Sequence, residues 1–186
     1  MVYPGHTLTE DVGSDEDLPD LVLAEARCGT VDFDRLSQAG IGLDEALDAY
    51  SGDFEEFCTM ADGFGITDEL QDALESYARG IVVLDRVTVP ELLRGRRFGL
   101  LLSSLVLREL GWQRLAVAMP AAFEVEPRSP ARPSADERNV RLWTEFGFQR
   151  YRNEGIYFLD TGLNTLDNNV RRYRSAVDDG APIVVL

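Results

Sequence analysis

The residues with the clearest chemistry are Arg94-Gly95-Arg96-Arg97-Phe98-Gly99, three arginines and two glycines within six positions. They lie between a β-branched run, Ile81 to Val89, and an apolar run, Phe98 to Leu110. The spacing predicts a strand, a short turn and a helix that starts at the arginines. A helix start already carries roughly +0.5 charge, and each added cation there is disfavoured by about 0.3 to 1 kcal/mol. An anion offsets that cost. The outward N–H groups of the first turn, with Gly95 and Gly99 allowing close approach, make a phosphate or pyrophosphate the expected occupant. The alternative is that the arginines are solvated and only punctuate a turn. No Gly-Lys-Ser/Thr ending and no GxGxxG turn is present, which removes most support for nucleotide hydrolysis.

The surrounding elements follow from periodicity. Ile81 to Val89, stopped by Pro90, reads as a buried central strand. Phe98 to Leu110 is a helix apolar on most sides, closed by Gly111, and Arg114 to Met119 is a second buried strand. Strand, helix and strand make a βαβ unit with parallel pairing. After a proline-bearing loop, Ser134 and Glu137 form a capping box that opens a helix carrying Val140 and Trp143 and ending at Gly147. Phe148 to Tyr151 and Ile156 to Leu159 form a hairpin. Leu163, Leu166, Val170, Tyr173 and Val177 mark a last amphipathic helix. Earlier, Leu21 to Phe33 reads as extended, with a hairpin turn near Gly29. Ala46, Leu47, Tyr50, Phe54, Phe57 and Cys58 recur at helical spacing with a break at Ser51-Gly52. Thr67 caps a helix that runs to Gly80. Trp112 and Trp143 are expected in the core, as are Tyr50, Phe54 and Phe57.

Composition narrows the class. The chain has 186 residues, is 45% apolar and carries a formal charge of −15, with arginine as its only basic residue besides His6. It can bury a core as one domain, and it contains no apolar run near the roughly 20 residues of a membrane span. A cytoplasmic protein is expected, with neither a signal core at the start nor a membrane partner. Cys28 and Cys58 form no CxxC pair, so neither a disulfide framework nor a metal site is expected. Residues 1–80 hold 20 acids against three arginines, whereas residues 81–186 hold 15 arginines against 13 acids. Nucleic acid is repelled by the whole, while the second half can hold a small anion.

Two stretches carry a resemblance. Val87-Thr88-Val89-Pro90 followed by Glu91 to Leu100 resembles the strand and pyrophosphate loop of the GNAT superfamily of acyl-CoA N-acetyltransferases. That loop reads Arg or Gln, two residues, Gly, one residue, Gly or Ala. Arg94 and Gly99 match its ends, and Arg97 stands where the family has its first glycine. A positive φ there would strain the arginine by about 1 kcal/mol or more; a helical backbone would tolerate it. Asn139-Val140-Arg141-Leu142-Trp143-Thr144-Glu145-Phe146-Gly147-Phe148 resembles the family's late helix leading into a Gly-Phe strand. The resemblance spans residues 81–160.

It implies an α/β fold, a GNAT-like mixed central sheet flanked by helices, with a helical acidic N-terminal half. Residues 1–19 would be an acidic flexible lead-in, 20–160 the domain with its motif-bearing core at 81–160, and 161–186 a C-terminal helix and apolar tail. By the same resemblance Val87, Thr88 and Val89 would present backbone groups to the pantetheine arm of acetyl-CoA. Arg94, Gly95, Arg96, Arg97, Phe98, Gly99 and Leu100 would hold its pyrophosphate. Acetyl transfer also needs a base and a proton donor. Asp85 and Glu91 are the nearest acids, although Asp85 has Arg86 or Arg114 as ion-pair candidates and Glu91 reads equally well as a solvated turn residue. The family's late-helix tyrosine corresponds to Trp143, whose indole is no practical acid, leaving Tyr151 or Tyr157 as substitutes. The implied activity is acetyl-CoA-dependent N-acetylation of an amine. The acidic half is a solvated face or else favours a cationic acceptor such as a polyamine, an aminoglycoside or a basic protein tail. The alternative is a catalytically weak or inactive GNAT-fold module that binds CoA or another protein. A homodimer is expected from the habit of the family.

Overall fold

The computed structural model describes residues 22–50, 52–121, 125–126, 128–152 and 155–180. The regular elements are β1 (Glu25–Asp32), α1 (Phe33–Ala39), α2 (Leu43–Tyr50), β2 (Ala61–Asp62), β3 (Gly65–Ile66), α3 (Asp68–Asp72), β4 (Gly80–Thr88), α4 (Phe98–Leu110), β5 (Leu115–Ala118), α5 (Arg132–Phe146), β6 (Gln149–Tyr151), β7 (Ile156–Asp160) and α6 (Thr165–Asp178). Two 3-10 segments, Gly52–Met60 and Glu91–Leu93, join them. The middle layer is a mixed five-stranded sheet of order β1-β4-β5-β7-β6. Only β4 and β5 run parallel; β1 with β4, β5 with β7 and β6 with β7 are antiparallel. No described helix is long and apolar enough to cross a membrane.

The central strands are apolar on both sides because both sides are covered. Ile81, Val83, Leu115 and Val117 face a core that includes Leu47, Phe57 and Leu70. Val82, Leu84, Ala116 and Ala118 face a second core built with Leu100, Leu107, Phe146 and Tyr173. Burying each large apolar side chain contributes roughly 1.5 to 3 kcal/mol, so this double burial is what fixes β4 and β5 at the centre. α4 lies on the second face. Its buried serines hydrogen-bond back to their own helix, Ser103 to Gly99 O at 2.7 Å and Ser104 to Leu100 O at 2.8 Å. α6 runs antiparallel to α4: Arg108, near the end of α4, lies 3.9 Å from Asp167, in the first turn of α6.

Several local expectations yield to tertiary contacts. Gly29 is not a turn but an interior residue of β1, paired with Val83, and a Cβ there would come 3.3 Å from the Tyr50 ring. The helix after Thr67 ends at Asp72 instead of Gly80. The Thr67 hydroxyl makes no cap bond and lies 3.1 Å from the Tyr151 hydroxyl. The chain from Leu74 to Arg79 is held instead by buried Asp160, whose carboxylate accepts from Glu75 N (2.9 Å), Ser76 N (3.1 Å), Ser76 Oγ (2.6 Å) and Gly162 N (2.8 Å). α5 starts at Arg132, two residues before the expected capping box, and Ser134 Oγ donates to Ala131 O at 3.0 Å. Phe54 and Phe57 are in the core, but Tyr50 is partly exposed and stacks on Phe54 at 4.9 Å. Trp112 is 72% exposed, whereas Trp143 packs between Phe146 and Phe148. The lead-in 1–19 and the apolar tail Ile183 to Leu186 lie outside the described residues.

Candidate functional site

The arginine turn leaves the end of β4. Arg94 Nε donates to Val89 O at 3.2 Å and closes the turn. Gly95 (φ 79) and Arg97 (φ 68) both adopt left-handed backbone, and Arg97 is the N-cap of α4. The position that matches the family's first glycine therefore has the conformation glycine favours, and arginine there bears a strain of about 1 kcal/mol or more. The first bond of the helix runs from Leu101 N to Arg97 O at 3.0 Å. Phe98, Gly99 and Leu100 precede it, where the helix supplies no acceptor for their N–H groups. Gly99 serves close packing: a Cβ there would come 3.1 Å from Val89 Cγ2 and 3.3 Å from Val87 Cγ1.

At the other end of this strand segment β4 and β5 part company. Their pairing starts at Ile81 with Leu115 and ends at Leu84 with Ala118. β4 continues to Thr88 beside β1 alone, while β5 gives way to Met119 and Pro120. On β4 Asp85 is an extra residue, since Arg27 pairs with Arg86 and Cys28 with Leu84. Such a bulge re-aims a side chain and is frequent beside functional sites. A cleft of about 1060 Å³ opens over this point, at the carboxyl ends of the two parallel strands where α/β sheets commonly bind ligands. Phe54 and Phe57 line it from one face of the sheet and Val140 and Arg141 of α5 from the other. Leu84, Asp85, Met119 and Tyr157 form its floor.

The fold thus brings Asp85 and Tyr157 to one cleft. Tyr157 stands opposite Ala118, which stands opposite Leu84, so strand order alone sets the tyrosine two strands from β4. Its ring is buried at 6% exposure, and its hydroxyl makes no hydrogen bond to a described residue. Tyr151, the other tyrosine candidate, is on the opposite face with its hydroxyl against Thr67. Asp85, with a side chain 11% exposed, lies 3.2 Å from Arg27 Nε, a partner that sequence reasoning missed because β1 and β4 are far apart in the chain. Arg114 is at the opposite end of the sheet, near Asp32. Glu91 is exposed in the 3-10 turn and does not line the cleft. Trp143 is a core residue. Glu56, Arg132, Asp136 and Arg150 also line the cleft and were not singled out by any local signal, and Glu137 and Arg141 of the late helix join them.

Electrostatics beside the floor is one-sided for sulfur. Burial, and then the neighbouring Asp85 carboxylate, push the Cys28 thiol up to about 12, so it is no nucleophile at neutral pH. Among the described residues no group of three or more histidine, cysteine or acidic side chains is arranged to hold a metal ion. No family model, curated protein or solved structure matches the chain.

Proposed function

We propose that the protein is a GNAT-like N-acetyltransferase that moves an acetyl group from acetyl-CoA to an amine held in the cleft. The observation that carries this reading is the parting of β4 and β5 beyond Leu84 and Ala118, which leaves Asp85 and a Tyr157 hydroxyl without a partner among the described residues at one end of a strand edge and the arginine turn at the other. Roughly 13 Å of extended strand, Leu84 to Thr88, separates the two. The element order, strand, arginine turn, helix, parallel strand, late helix and Gly-Phe hairpin, also supports it.

The residues present fit the cosubstrate. Val87, Thr88 and Val89 continue β4 past its pairing with β5, so backbone donors and acceptors on that side are suited to an amide-bearing arm. Arg94, Gly95, Arg96 and Arg97 bring positive charge to the start of α4, where Phe98, Gly99 and Leu100 contribute N–H groups suited to a pyrophosphate. When bound, acetyl-CoA supplies the activated acyl thioester. Asp85 takes one proton from the acceptor ammonium and passes it to solvent. Tyr157 gives its proton to the departing sulfur and is replenished by the second proton that leaves the nitrogen. A nitrogen–carbon bond replaces the carbon–sulfur bond, so the products are an amide and free CoA. Phe54, Phe57 and Met119 lower the local polarity, which favours the neutral amine.

Calorimetric titration with acetyl-CoA tests the reading. Micromolar affinity, about −8 kcal/mol, is expected, with at least a tenfold loss in Arg94→Glu/Arg96→Glu. Absence of binding overturns it. Binding without acetylated product, by mass spectrometry over a panel of amines and peptides, replaces it with the CoA-binding module.

A further inference from the structure

We infer that the arginine turn is the docking surface for the chain's own acidic segment, residues 1–21, and that an anionic ligand must displace this segment in order to bind. The inference rests on the anion-binding part of the acetyl-transfer reading and adds an internal competitor to it. Residues 1–21 lie outside the described residues, and strand register fixes where they join the rest. β1 and β4 are antiparallel, with Glu25 opposite Thr88 and Asp32 opposite Gly80. The start of β1 therefore stands beside the end of β4 from which the arginine turn leaves. Arg94 folds back on that same point, its Nε donating to Val89 O at 3.2 Å. Asp20 is five residues before Glu25, a reach of at most roughly 18 Å of extended chain. The acidic segment meets the turn without crossing the molecule.

Charge is complementary across this junction. Glu10, Asp11, Asp15, Glu16, Asp17 and Asp20 fall close together, and no arginine precedes Arg27. From Arg86 to Arg97 the chain holds four arginines against Glu91 alone, and α4 adds no charge before Arg108. Glu25, at the start of β1, is one further acid at this end. α6 supplies no counterweight: it runs antiparallel to α4, and in its last turns Asp178 and Asp179 are matched by Arg171, Arg172 and Arg174. The turn thus has an excess of positive charge, and the acidic segment tethered beside it is the nearest supply of the opposite sign. Arg86, Arg94 and Arg96 are each engaged in interactions, so the turn is not a bare cationic surface. Arg97 keeps a left-handed backbone, φ 68, that glycine would adopt without strain, so its charge is retained at a conformational cost. A short tether gives the segment an effective concentration in the millimolar range, enough for weak carboxylate contacts to compete with a phosphate.

The test uses the full chain and two probes that do not depend on the cosubstrate. Glu10→Gln, Asp11→Asn, Asp15→Asn, Glu16→Gln, Asp17→Asn and Asp20→Asn are combined in one neutralised variant. Inorganic pyrophosphate is titrated calorimetrically into this variant and into the unmodified protein at about 20 mM salt, where the Debye length is roughly 20 Å. The neutralised variant is expected to bind at least threefold more tightly, and the difference is expected to vanish at about 0.5 M salt. A synthetic peptide of residues 1–21 is expected to bind the neutralised variant and to be displaced by pyrophosphate. Adding Arg94→Glu/Arg96→Glu, or the milder Arg94→Gln/Arg96→Gln, is expected to weaken the peptide at least tenfold, with melting temperatures verifying that each variant folds. Equal pyrophosphate affinity in the two proteins at low salt overturns the inference, as does a peptide that fails to bind or that binds regardless of Arg94 and Arg96. Acetyl-CoA is titrated separately into the neutralised variant. Peptide docking and pyrophosphate competition without acetyl-CoA binding retain this inference and remove acetyl transfer; acetyl-CoA binding with neither does the reverse.

Discussion

Arg27 Nε lies 3.2 Å from Asp85 Oδ2 across the bulge where β4 has one residue more than β1. The pair joins an exposed guanidinium to a carboxylate in the floor of the cleft, so its main effect is to orient Asp85. Arg27→Ala should cost no more than about 1 kcal/mol in urea denaturation, because the arginine is largely solvated. On the acetyl-transfer reading Asp85→Asn and Tyr157→Phe should each lower kcat at least tenfold while acetyl-CoA affinity stays within about threefold. Unchanged kcat in both variants removes these two residues from the chemistry.

The left-handed backbone at Arg97 separates charge from conformation. Arg97→Gly and Arg97→Ala remove the same charge, but only glycine relieves the strain. The glycine variant should be more stable than the alanine variant by about 1 kcal/mol, or slightly less, since glycine gains entropy when unfolded. Thermal melts of the two variants measure the difference directly. A more stable alanine variant would contradict the strain at this position.

Asp160 accepts four hydrogen bonds from the chain around Glu75, Ser76 and Gly162. Asp160→Ala should destabilise the fold by about 2 to 4 kcal/mol, because four part-buried hydrogen bonds lose their buried acceptor at once. Asp160→Asn, which keeps one acceptor oxygen, should lose less. Amide hydrogen exchange at Glu75 and Ser76 should accelerate in both variants before the rest of the sheet is affected.

The thiol of Cys28 is raised to about 12 by burial and by Asp85. A raised pKa means that the folded state holds its proton more tightly than the unfolded chain. The associated stability is present below pH 9, the ordinary thiol value, and is lost as pH rises toward 12. Iodoacetamide should therefore leave Cys28 unmodified in the native protein at pH 8 to 9 and alkylate it after denaturation, as read by peptide mass spectrometry. Rapid native labelling at pH 8 would contradict this.

The strand-helix-strand unit around the arginine turn was legible from the sequence because its signals are local. The β-branched run to Val89, the stop at Pro90, the apolar helix and Gly111 each act within a few residues of where they stand. The hairpin after Gly147 is local in the same sense. What only the tertiary structure decided depends on register between distant segments. Insertion of β7 between β5 and β6 is what sets Tyr157 opposite Ala118, and nothing near Tyr157 in the chain distinguishes it from Tyr151. Pairing of β1 with β4 supplies Arg27 to Asp85 and makes Gly29 a strand residue. Asp160 shortens the helix after Thr67 because three hydrogen bonds from residues 84 or 85 positions away outweigh a few tenths of a kcal/mol of helix propensity per residue. Local propensity wrote the elements, and long-range pairing, which no window of sequence contains, chose which side chains meet in the cleft.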